Sequence, residues 1–314
     1  MSRISVVGAG LISPFGGLEE TISALKKGRK VTGRRLQLLE GSPWANFRAV
    51  QTPSPELPDD PAFRKMRKYM SGQAFLAALA AREALGQAEL MKKGFEPDRI
   101  GLFVGAGLTS VDRQAGLEIL AASVNSQGVF EPEKFVSCGL KSVNPLWAFE
   151  TLANMPACII SVLEGLKGES AVYTPFEDAG AQALKEAVRA LETGLVDAAV
   201  VAASDSPNEP ASLAQTALLG YLKESEVAAE ASAALVLVRN GGGDCLARPG
   251  IDEVILERIE SSVPDDPLAL FLGRTMAASP VILALLASLA PELGLNTSLI
   301  CSRGHRFSFE VNAA

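Results

Sequence analysis

Apolar and polar positions change period several times along the chain, and the changes mark its elements. Residues 4–7, Ile-Ser-Val-Val, open a buried strand. Residues 18–28 predict a short helix, and residues 30–62, rich in Pro, Gly and Asp, predict surface loops. Residues 71–90 predict a strong helix with Phe75, Leu76, Leu79 and Ala80 on one side and Ala on the others. Residues 99–105 form the next apolar strand, 112–137 two helices, and 152–166 an apolar helix that starts at Pro156. Residues 168–203 then hold strand, sharp turn, helix and strand in succession. Residues 171–174 are β-prone and 175–178 break the run. Ala179, Ala183, Ala187 and Ala190 recur at helical spacing, Gly194 ends the helix, and 198–203 is a buried strand. A further helix is predicted near 211–219, strands at 235–238 and 254–259, two helices within 266–293, and strands at 299–301 and 307–311. Helices alternating with continuous apolar strands predict an α/β fold with a largely parallel sheet covered on both faces.

The sharp turn at 175–178 is where chemistry is expected. Such a turn presents a side chain at the tip of a sheet, beside helix N–H groups that favour negative charge. Gly8-Ala9-Gly10 resembles the start of a dinucleotide-binding turn. However, Ser13 and Pro14 stand where the third Gly and the helix should be, so that cofactor is excluded. With 314 residues the chain can bury a large core. Its net charge of -7 and short basic runs exclude a nucleic-acid partner. The densest run, Arg64-Lys65-Met66-Arg67-Lys68, is read either as a solvated face or as a docking patch for an acidic protein such as an acyl carrier protein.

Cys138, Cys158, Cys245 and Cys301 show no metal-binding spacing, and the chain has one His, so no metal and no cofactor are expected. Scattered thiols and an N-terminus that enters a strand at once, without a signal peptide, suggest a cytoplasmic protein. No uncharged apolar run reaches the roughly 18 residues of a membrane span.

Several segments, in order, resemble the β-ketoacyl-acyl carrier protein synthase family. ISVVGAGLISPFG (4–16) is similar to the family's first strand and Ser-Pro-x-Gly turn. MSGQAFLAALAAREALGQAEL (70–90) resembles its long helix, and RIGLFVGAG (99–107) the following strand. NPLWAFETLANMPACIISVLEGLKG (144–168) resembles the segment before the active-site strand, including Asn154-Met155. ALETGLVDAAVVAASD (190–205), AEASAALVLV (229–238) and ICSRGHRFSFEV (300–311) resemble later strands, the last the terminal hairpin. The match is nearly continuous over the N-terminal two thirds and patchy from about 205 to 295. It implies a thiolase-like layered α-β-α-β-α fold of two pseudo-repeated halves. These would form a single domain over 1–314, with halves 1–220 and 221–314, the second shortened.

The family's chemistry needs a Cys nucleophile at the elbow and two His that support decarboxylation and oxyanion charge. Its elbow, Thr-Ala-Cys-Ala-Ser-Gly, falls on residues 174–180, one residue longer here. Counting back from Gly180 places Glu177 at the nucleophile, and a later gap places Phe176 there. The first His has no counterpart. The second matches His305, with Arg303 and Arg306 replacing a Gly and an Asn, and Ser302 stands at the gating Phe. Among the thiols, Cys158 reads as a small core residue and Cys301, near His305, as the alternative nucleophile. Glu177 and His305 are thus candidate relic catalytic positions, and Phe176, Cys301, Ser302, Arg303 and Arg306 the neighbouring pocket.

Three functions follow from the resemblance. The first is a chain-length-factor-like partner of an active ketosynthase, lacking condensing activity. The second is a non-catalytic module that binds an acyl chain, acyl thioester or acyl carrier protein. The third is altered thioester chemistry, such as decarboxylation by a Glu177–His305 pair. The resemblance also implies a homodimer or heterodimer through the strand at 169–174.

Overall fold

The chain begins with β1 (Ile4–Ile12), α1 (Leu18–Lys26), β2 (Arg34–Arg35), β3 (Arg48–Val50), α2 (Pro61–Met66) and α3 (Gly72–Ala88). It continues with β4 (Ile100–Ala106), α4 (Arg113–Ala122), α5 (Pro132–Ser137), α6 (Trp147–Glu150), α7 (Met155–Glu164), β5 (Ser170–Tyr173) and α8 (Phe176–Glu192). Then come β6 (Ala198–Asp205), α9 (Pro210–Leu218), β7 (Val227–Ala229), β8 (Ala231–Arg239) and β9 (Gly250–Arg258). The last elements are α10 (Ala269–Leu272), α11 (Ser279–Leu289), β10 (Ser298–Ile300) and β11 (His305–Asn312). The computed structural model describes residues 4–108, 113–207, 209–239, 250–259 and 265–312, so Cys245 lies outside the described residues.

Eight strands form one sheet in the order β10-β11-β9-β1-β8-β6-β4-β5. Only β5, β4 and β6 run parallel, and every other pairing is antiparallel. The expected largely parallel sheet is therefore a mixed one. Burial by helices on both faces gives a strand the same continuous apolar sequence whichever way its neighbour runs. The segment 30–62 is also more ordered than expected. Its strand β2 pairs with β3, and β3 with β7, in a small second sheet over a cluster that includes Leu39, Ala49, Leu213 and Met276.

Alternate residues of the central strands face two separate cores. Leu102, Val104, Val200, Ala202 and Val236 pack with the Ala face of α3 and with α7. Phe103, Ala199, Val201, Leu235 and Leu237 face α8 and α11. Helix α8 touches both β4 and β9, although these stand four places apart in the sheet, so the sheet wraps around the α8–α11 pair. The layers are thus α3 with α7, the central strands, α8 with α11, then β9, β11 and β10. The inner face of that last layer carries Phe307 and Phe309. Its outer face carries Glu253, Ile255, Glu257, Arg306 and Glu310, all exposed.

Small residues let the layers approach to backbone contact. A Cβ on Gly10 would lie 2.1 Å from the Ala80 carbonyl oxygen of α3, which explains the Gly-Ala-Gly of β1 without a nucleotide. A Cβ on Gly180 of α8 would lie 2.2 Å from the Ala277 carbonyl oxygen. The first turns of α8 are therefore pressed against the segment that leads into α11, and this contact positions the candidate site.

Candidate functional site

The site is built where the N-terminus of α8 meets two loops, 273–279 and 301–305. Helix α8 starts at Phe176, three residues earlier than its Ala repeat predicts. Phe176 has φ 62, the left-handed region that a bulky residue rarely occupies. A strained residue at a strand-to-helix turn is the geometry of a nucleophile elbow. Its occupant here is an inert ring, 5% exposed, packed edge-on against Tyr221 with centroids 4.7 Å apart.

Glu177, the next residue, is fully buried in a cradle of donors. Arg274 Nη2 donates to Oε1 at 2.6 Å, Ser302 Oγ donates to Oε1 at 3.0 Å, and the Ser302 N–H donates to Oε2 at 3.1 Å. Arg274 Nη2 also donates to Ser302 Oγ at 3.2 Å. Burial pushes the Glu177 carboxyl above the usual carboxylate range, and the Arg274 charge and the Ser302 donors oppose that rise. Arg274 is itself 1% exposed. Its backbone is anchored on β7, donating to the Val227 carbonyl at 2.7 Å and accepting from the Ala229 N–H at 3.0 Å.

Two more buried carboxyls flank the pair. Asp266 accepts from Ser279 Oγ at 2.6 Å and from the Leu268 N–H at 2.9 Å. Burial raises its pKa, and Arg274 and Ser279 pull against the rise. Asp205, at the end of β6, accepts from the Ala277 N–H at 3.3 Å. Burial, with the Glu177 charge adding to it, pushes its pKa up to about 7.

His305 does not touch Glu177. Its Nδ1 is 2.6 Å from Asp178 Oδ1, and Arg303 Nε lies 4.0 Å from Asp178 Oδ2. The expected Glu177–His305 pair is therefore two separate arrangements, because successive residues at the start of α8 point in different directions. Arg306 is not in the pocket. It lies across the strand pair from Glu257 on the outer face, with Nη1 3.4 Å from Oε1. Ser302 and Cys301 are in the pocket, and both are buried. Burial and the charges of Asp178, Glu177 and Asp266 push the Cys301 thiol far above its ordinary range, so it is held as the unreactive thiol. Cys158 is exposed on α7, not a core residue: the apolar face of that helix is Met155, Ala157, Ile159 and Ile160, while Cys158 and Val162 turn outward.

Arg274, Asp178, Asp205 and Asp266 were not singled out from sequence. A lone Arg within LALFLGRTMAASPVILALLASLA (268–290) is the signal that points to Arg274, because a charge in a long apolar run is buried only with a partner. Among the described residues no cluster of three or more His, Cys, Asp or Glu is arranged to hold a metal ion, and no helix is long and apolar enough to cross a membrane.

The family model for the β-ketoacyl synthase N-terminal domain matches residues 1–241. The chain belongs to the β-ketoacyl synthase family. It is 26% identical over 199 residues to 3-oxoacyl-[acyl-carrier-protein] synthase 1 of Haemophilus influenzae, covering 63% of this chain and 45% of that protein. It is 22% identical over 207 residues to 3-oxoacyl-[acyl-carrier-protein] synthase 2 of Staphylococcus aureus, covering 65% of this chain and 46% of that protein. The match thus spans less than half the length of either relative.

Solved structures share this β-ketoacyl synthase fold. The ishigamide ketosynthase/chain length factor matches with a TM-score of 0.77 at 14% identity, covering 100% of this chain and 99% of that one. The ketosynthase ApeO in complex with its chain length factor ApeC, from Xenorhabdus doucetiae, matches at 0.69 and 14% identity, covering 100% and 98%. AntDE:AntF, a type II polyketide synthase acyl-carrier protein in complex with its ketosynthase, matches at 0.73 and 16% identity, covering 100% and 99%. The fold of this synthase-family chain is the thiolase-like layered one.

Proposed function

We propose that this β-ketoacyl synthase-like chain does not condense acyl groups and acts as a chain-length-factor-like partner of an active ketosynthase in fatty acid or polyketide biosynthesis, in the cytoplasm. The observation that carries the reading is the elbow. The strained position holds Phe176, and the adjacent Glu177 is closed into a buried ion pair with Arg274. Neither offers the thiolate that the family's acyl transfer uses, and a carboxylate does not easily replace it. The thiol of Cys301 is suppressed by burial and by three neighbouring carboxyls. Decarboxylation through a Glu177–His305 pair is not favoured, because each side chain is engaged elsewhere. Incubation of the protein with an acyl donor, followed by intact-mass measurement, should return the unmodified mass. An acyl adduct on Cys301, Cys158 or Glu177 would overturn the reading.

Partnership is supported at the sheet edge. β5 ends the eight-stranded sheet, with β4 as its one neighbour among the described residues, and its Ala171, Val172 and Tyr173 are half-buried. An open edge of that kind invites another strand. Beside it, α7 exposes Val162 at 65%, and Leu152, Phe149 and Leu140 are also exposed. The residues 169–174 would pair across a two-fold axis or with a ketosynthase, in an interface of more than roughly 2,000 Å². Light scattering should find a dimer at micromolar concentration, and Val172→Pro should yield monomer. A wild-type chain that stays monomeric removes this part of the proposal. Co-purification with a co-expressed synthase separates the heterodimer from the homodimer.

A non-catalytic module for acyl carrier protein is the second reading. Arg64, Lys65, Arg67 and Lys68 of the 61–69 segment are all exposed, as an electrostatic docking site for an acidic protein requires. It is compatible with the first.

A further inference from the structure

Resting on the reading that the chain does not condense, we propose that the cradle around Glu177 is a carboxylate-binding site whose occupant is built into the chain. Glu177 acts as a tethered ligand that keeps the old pocket closed to free carboxylic acids. The donors are those of a carboxylate receptor. The Arg274 guanidinium and the Ser302 hydroxyl meet one oxygen, and the Ser302 N–H meets the other. The backbones that carry these donors are anchored without the Glu177 side chain. Arg274 is fixed through its backbone to Val227 and Ala229, Ser302 follows the Cys301 turn that bonds to His305, and α8 is held by Gly180 against Ala277. A preformed, desolvated cation with hydroxyl and amide donors is costly to leave without an anion. Arg274 Nε already lacks a hydrogen-bond partner and is fully buried, so the guanidinium has donor capacity beyond what Glu177 uses.

The proposal has a direct consequence. Removal of the side chain beyond Cβ, in Glu177→Ala, leaves the cradle without its anion, and a small monocarboxylate in solution takes its place. Acetate matches the missing fragment in charge and size, propionate adds one carbon at the Cβ end, and a ligand that binds the folded state alone raises its melting temperature with concentration.

The experiment is thermal unfolding of Glu177→Ala with millimolar sodium acetate or propionate, against sodium chloride at equal ionic strength and propionamide as the neutral isostere. The expected result is a saturable rise of several degrees with either carboxylate, no rise with chloride or propionamide, and no specific carboxylate response in the wild-type chain. Glu177→Gln, which fills the space without charge, should show no response either. The double variant Glu177→Ala/Arg274→Met, which removes the cation as well, should fold and lose the response. If Glu177→Ala is insoluble, refolding yield replaces melting temperature, with carboxylate again expected to restore it over chloride. A folded Glu177→Ala that ignores carboxylates overturns the proposal. So does an equal response in wild type, and so does a double variant that folds where Glu177→Ala cannot be rescued. Acyl loading of the wild type would overturn the non-condensing reading by a different measurement.

Discussion

Arg274→Met should destabilise the fold by about 3–5 kcal/mol, because it leaves the Glu177 carboxylate buried without its cation. The substitution keeps most of the side-chain length and removes the donor that lies 2.6 Å from Oε1. Two donors from Ser302 remain, and they do not neutralise a charge that no solvent reaches. The loss is a large share of an ordinary domain's total stability, so the variant should be poorly soluble and unfold at much lower urea. Adding Glu177→Gln should recover most of it, since the pair itself is then neutral and close to isosteric, with Asp266 still bonded to Ser279. The coupling read from this double-mutant cycle in urea measures the pair itself. A loss below about 1 kcal/mol for Arg274→Met would match an exposed pair, and the closed site described above would then be wrong.

Asp205→Asn should change how stability depends on pH. The carboxyl is raised in the folded chain to about 7, against 3.8 for the ordinary group. Between those values the folded state holds a proton that the unfolded state has released, so this group favours folding at low pH. Its contribution is fully present below about pH 4, falls as pH rises towards 7, and is gone above that. The span is on the order of 4 kcal/mol at most. Asn is the permanently neutral form and can still accept from the Ala277 N–H. The variant should therefore match wild type near pH 4 and exceed it at pH 8. Glu177 and Asp266 are raised by burial too and share the sign, which is why the difference between the two proteins is the quantity to measure. Parallel stability curves from pH 4 to 8 would show that Asp205 does not titrate as described.

Much of this structure was written locally in the chain. The Ala repeat of α8, the apolar run of β6 and the small residues of α3 each name their element and their buried face. Strand direction was not written there, because β8 between β1 and β6 is buried on both sides and reads the same either way. The short strands β2 and β3 were hidden for another reason: their order comes from β7, far along the chain. At the site, Phe176, Glu177, Ser302 and His305 were reachable by position. Arg274, the partner of Glu177 across 97 residues, was not. An ion pair leaves no periodic trace, and only the isolation of one charge in apolar surroundings hints at it. The pairing of His305 with Asp178 instead of Glu177 needed the pitch of the helix start, which a residue count does not supply.

The order of strands also bears on how the chain is made. β1 occupies residues 4–12, yet its long neighbour is β8 at 231–239, and its other flank meets β9 through the single pair Ser5 and Gly250. On a ribosome, where the N-terminus emerges first, the first strand therefore waits for more than two hundred residues of synthesis before its main edge is filled. During that interval α3 is the main cover within the described residues, through Gly8 and Gly10 seated on Ala84 and Ala80, with a smaller contact from α1. A β1–α3 unit held by backbone contact shields the apolar strand on one face while both of its edges stay open to other chains. Closure of β1 by β8 is thus late and long-range, the kind of pairing that forms slowly and leaves strand edges exposed to aggregation in the interval.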